Sequence, residues 1–69
     1  MSKIKSITKH TNKASGRVSY LVIYESQRHY DYTGKDNLPM PVVEILLNGE
    51  CETHYYETGK VEYFRPANA

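Results

Sequence analysis

Turn-forming residues recur along this chain at intervals that leave little room for long helices. Asn12-Lys13-Ala14-Ser15-Gly16, Thr33-Gly34-Lys35-Asp36-Asn37, Asn48-Gly49 and Thr58-Gly59 cut it into short pieces, each cluster lying between apolar runs. Pieces of that size suit strands, which commonly need only about five or six residues. The expectation is an all-β, or β-rich α+β, domain: a small antiparallel meander or partly open barrel of about four to six short strands, with no helix longer than about three turns.

The run Val18-Ser19-Tyr20-Leu21-Val22-Ile23-Tyr24 is rich in β-branched and aromatic residues. Alternation sets Val18, Tyr20, Val22 and Tyr24 on one face and Leu21 and Ile23 on the other, the pattern of a central or covered strand. After a tight turn at Glu25-Ser26-Gln27, Arg28 to Tyr32 alternates and supplies a hairpin partner. Asn48-Gly49 between Val42–Leu47 and Glu50–Tyr56 is a strong hairpin signal, because Asn-Gly tolerates the positive φ angles of a type I′ turn. With Thr58-Gly59 leading into Lys60–Phe64, this predicts three consecutive strands. The competing reading is a short helix over Val42–Leu47, started by Pro41 and ended at Asn48-Gly49. In Lys3–Thr11, Ile4 and Ile7 differ in strand parity, which calls for a bulge or an edge position. The lysines there resemble those of an edge strand that discourages further pairing.

A chain of 69 residues has room for one domain, expected over 1–65, with a flexible C-terminal tail over 66–69. A core this small is nearly balanced by an ordering entropy of roughly 1.5 kcal/mol per residue. Cys51 is the only cysteine, so an internal disulfide is excluded and a homodimer is the expected support. The lone thiol and the lack of a signal-like apolar run in Met1–Ile7 predict a cytoplasmic protein. The apolar runs Tyr20–Tyr24 and Val42–Leu47 are far shorter than the roughly 20 residues of a membrane-spanning helix, so no membrane role is expected.

Signatures of chemistry are sparse. Cys51 and His54 form a Cys-x-x-His pair, with His10 and His29 elsewhere, but residues three apart on a strand face opposite ways and no second paired motif accompanies them. No metal or cofactor is expected. No nucleophile elbow, phosphate loop or dinucleotide fingerprint is present. A Cys-His hydrolase would need a cleft that a domain of this size rarely builds. Glu50 and Glu52 share a strand face but read as solvated residues beside a turn. The chain is therefore read as non-enzymatic.

Tyrosine is the unusual component: seven residues, with no Trp and a single Phe. Some belong to sheet packing, yet seven exceed what so small a core can bury. Tyrosine also supplies rigid amphipathic area at binding hot spots. Tyr20, Tyr24, Tyr30 and Tyr32 on the predicted hairpin, with Arg28 beside them, form the candidate patch for a larger protein partner. Size alone suggests a small accessory, regulatory or inhibitor protein, of the kind that phages and other mobile elements encode. The alternative is a nucleic-acid-binding β domain that uses exposed tyrosines and the basic residues Lys3, Lys5, Lys9, Lys13 and Arg17, all of which precede the first acidic residue, Glu25. The net charge of +1 gives that alternative little general support. Opposite in sign to the N-terminal segment is the stretch from Pro41 to Phe64, so the two would attract if they met in one sheet.

Overall fold

In the computed structural model, which describes residues 3–34 and 37–67, the pieces between turns become five strands and one helix. They are β1 (Ile4–Asn12), β2 (Val18–Tyr24), β3 (His29–Thr33), α1 (Met40–Asn48), β4 (Glu50–Tyr56) and β5 (Gly59–Arg65). The strands form one antiparallel sheet in the order β3-β2-β1-β5-β4, so β3 and β4 are its two edges. This is the β-rich fold that the turn spacing predicts, with one short helix added. Of the tail expected over 66–69, Pro66 and Ala67 are exposed; residues 68 and 69 lie outside the described residues, as do 35 and 36 of the third turn cluster.

The β1–β2 connection is fixed by Asn12, whose side-chain oxygen accepts from the backbone amides of Ala14 at 2.9 Å and Ser15 at 3.0 Å. Such a bond mimics a backbone turn. Between β2 and β3, Gln27 takes a left-handed conformation at φ 71°. Its amide bonds the Tyr24 carbonyl at 2.9 Å, and the Tyr24 amide bonds the Arg28 carbonyl at 2.8 Å.

β1 occupies the centre of the sheet and pairs on both sides, which corrects the edge position suggested by its lysines. The bulge is real. It falls between Ile4 and Ser6, and shifts parity so that both Ile4 and Ile7 reach the core. The opposite charges of the two chain segments then meet, since Lys9 stands directly across from Glu62 of β5.

Val42–Leu47 is helical, which corrects the preferred strand reading and reduces the predicted three-strand run to the β4–β5 hairpin. Pro39 caps the helix and Pro41 lies in its first turn, where a missing N–H costs nothing. Val42, Ile45 and Leu46 then fall on one helical face and pack on the core residues Ile4, Ile7, Tyr20, Val22 and Phe64. Asn48-Gly49 ends this helix instead of turning a hairpin: Gly49 has φ −79°, and its amide bonds the Ile45 carbonyl at 2.7 Å. A side chain at Gly49 would collide with the carbonyls of Arg65 and Ile45.

Candidate functional site

α1 packs on β1 and β5 and thereby divides the sheet into a covered face and a bare one. The register places Tyr30 opposite Val22 and Tyr32 opposite Tyr20, so the predicted hairpin tyrosines share the helix side. Their depths differ. Tyr20 is only 2% exposed and belongs to the core, so it supports the patch from below and offers no contact surface. Tyr24 and Tyr32 are half-buried, whereas Tyr30 is 46% exposed at the edge strand. The rings of Tyr24 and Tyr30 meet edge to face, with centroids 5.6 Å apart. Arg28 is exposed at the neighbouring turn. Burial, followed by the phenols of Tyr32 and Tyr30, raises the pKa of Tyr24 above its ordinary 10.0. An open groove of about 740 Å³ continues from Tyr24 toward Lys3, Ile4, Pro41 and Glu44.

The five basic residues do not form one cluster, although Lys3 and Lys5 both line the groove beside Tyr24. Lys5 sits at the bulge and, with Leu21, Ile23 and His29, lines a shallow groove on the bare face. Lys9 lies on the helix side, with its ammonium 3.8 Å from Glu62 Oε1 and 5.9 Å from the centroid of the Tyr20 ring. Lys60 approaches the same Glu62 oxygen at 3.6 Å. That oxygen is buried and accepts no hydrogen bond among the described residues, so the two ammonium groups are what compensate it. Lys13 and Arg17 occupy the exposed β1–β2 connection, and Lys3 precedes β1.

The bare face collects residues that sequence reasoning did not combine. Leu21 and Ile23 of β2 lie across from Thr8 and Ser6 of β1, and Thr8 faces Tyr63 on its other side. His10, Val61 and His54 form the adjoining row. The His54 ring contacts Tyr63 edge to face at 5.6 Å and lies roughly parallel to Tyr56 at 6.5 Å. Glu52 pairs with His54 and lies 3.9 Å from Arg65. Register alone would have revealed this grouping, and register depends on β1 pairing with β5.

Cys51 is exposed on the helix side, within 3.9 Å of Glu62 Oε2, while His54 is on the other face. Among the described residues, no three His, Cys, Asp or Glu side chains converge as a metal site would require. No described helix is long and apolar enough to cross a membrane. No protein-family model matches this chain, and neither a curated protein nor a solved structure does.

Proposed function

We propose that this protein is a non-enzymatic binding module that modulates a larger protein through Tyr24, Arg28, Tyr30 and Tyr32. The observation that supports this reading is the placement of three tyrosines on the helix side of the β2–β3 hairpin, where Tyr30 remains 46% exposed beside an unpaired strand edge. Aromatic rings held by a packed sheet lose little entropy on docking. The groove beside Tyr24 provides a socket for a partner side chain. Nucleic-acid binding gains no comparable support, because the five basic residues occupy both faces and both ends of the sheet.

The test begins with affinity capture from the source cells, followed by titration of the purified partner. Tyr30→Ala or Arg28→Ala should each weaken binding by about 2 kcal/mol, the scale of an interface hot spot. Neutralising Lys13 and Arg17, which lie away from that groove, should act mainly on the association rate. Unchanged affinity in a folded Tyr30→Ala, Arg28→Ala double variant would refute the reading. Steeply salt-dependent binding to single-stranded nucleic acid that is lost with the lysines would replace it with the nucleic-acid alternative.

A further inference from the structure

We infer that the β4 edge pairs with the same edge of a second copy, antiparallel about a two-fold axis at Thr53. β4 pairs with β5 through an unbroken register from Glu50 to Tyr56 and, among the described residues, has no strand on its other side. Every second residue of such a strand turns its backbone N–H and C=O outward. Natural edges are usually blunted by charged side chains, above all lysine, by proline, by a bulge or by a short length. β4 has seven residues, Glu50-Cys51-Glu52-Thr53-His54-Tyr55-Tyr56, without lysine, proline or bulge, and its two charges, Glu50 and Glu52, both lie on the bare face, where Glu52 is paired with His54. Tyr55, on the helix side, is 80% exposed.

The order of side chains fits a copy of itself. A two-fold axis at Thr53 brings Glu52 opposite His54 of the second copy, Cys51 opposite its Tyr55, Glu50 opposite its Tyr56, and Thr53 opposite its own counterpart. Each pair lies on a single face, as an antiparallel ladder demands. On the bare face, the internal Glu52–His54 contact becomes part of an alternating ring of two carboxylates and two imidazoles. On the helix side, each Tyr55 gains cover from the neighbouring strand. The two adjacent symmetric registers that keep the faces matched are worse: an axis at Glu52 sets that carboxylate against itself, and an axis at His54 opposes two imidazoles. The other edge, with five residues against seven, offers a shorter ladder. The middle residue of β3 is Asp31, which a two-fold axis there would place against its own copy. Pairing through β4 leaves the tyrosine patch at the far edge free, so each dimer presents two.

The inference is tested by sedimentation equilibrium of the full chain from about 1 µM to 1 mM, spanning ordinary affinities. The wild-type chain should dimerise within this range. His54→Glu opposes two glutamates twice over and should weaken the dimer by at least about tenfold. Exchanging the two residues, Glu52→His with His54→Glu, should restore association to within about threefold of wild type, since the unlike pairs are regained. Thr53→Lys places like charges at the axis and should also give a monomer. Circular dichroism verifies that each variant is folded; should either His54 variant fail to fold, Thr53→Lys against wild type decides. A wild-type monomer throughout the range would overturn the inference. So would a dimer indifferent to His54→Glu and Thr53→Lys, or an edge occupied only by a strand from a different protein.

Discussion

At the scale of single residues, two positions carry unusual physical demands. Gly59 opens β5 opposite Asn12 of β1 with φ 150°, and a side chain there would run into the Thr11 carbonyl. Gly59→Ala therefore adds backbone strain to a wedge between two paired strands. It should cost about 2 to 4 kcal/mol, read as a lower denaturant midpoint. Tyr24 presents the opposite situation, a group whose neutral form the fold favours. Well below pH 10 its phenol is protonated in folded and unfolded chains alike, and its stabilising contribution is complete. Above the ordinary value of 10.0 the unfolded chain loses this proton first, so stability falls as pH rises through the higher folded value. Tyr24→Phe should show a shallower loss of unfolding free energy between about pH 9.5 and 11. Parallel curves for the two proteins would assign the raised pKa no role in stability.

Among the elements, α1 was the hardest to read and has the largest consequences. Val42 is fully buried over Ile7 and Val22, the only completely enclosed side chain that the helix supplies. Val42→Ala should cost about 2 kcal/mol through lost transfer energy and the remaining cavity, measured by chemical unfolding. The strands were legible because β-branched alternation in β2 and the turns around it act locally. The helix was not, since its apolar run is too short for periodicity to separate helix from strand. What decides is tertiary: Ile4, Ile7 and Phe64 present an apolar floor that Val42, Ile45 and Leu46 can cover together only on one helical face. The same step explains Tyr20. Alternation put Tyr20 and Tyr24 on one face and allowed some of the four hairpin tyrosines to share it; the register puts all four there, and depth on that face depends on α1 and Leu38. The helix also leaves Met40 70% and Leu47 77% exposed, a solvent-facing apolar surface that a strand reading could not anticipate.

Over the whole molecule, the arrangement follows from one long-range pairing, β1 with β5, which no local pattern announces. It decides which strand is central, brings Lys9 to Glu62, and assembles the bare face from residues at opposite ends of the sequence. The bulge in β1 matters as much. By changing parity between Ile4 and Ser6 it separates Lys5 from Lys9, which disperses a basic segment that looks continuous in sequence. The same strand order also bears on synthesis. A ribosome releases β1 first and β5 last, so one side of the central strand waits while every intervening element is made. At about 5–20 residues per second that wait lasts seconds, at the long end of the roughly millisecond-to-second folding of sheet-dominated domains. Until Phe64 emerges, the nascent chain carries Ile7 beside an unfinished edge. The pace of translation therefore adds to the speed of folding in setting how long that edge stays unpaired.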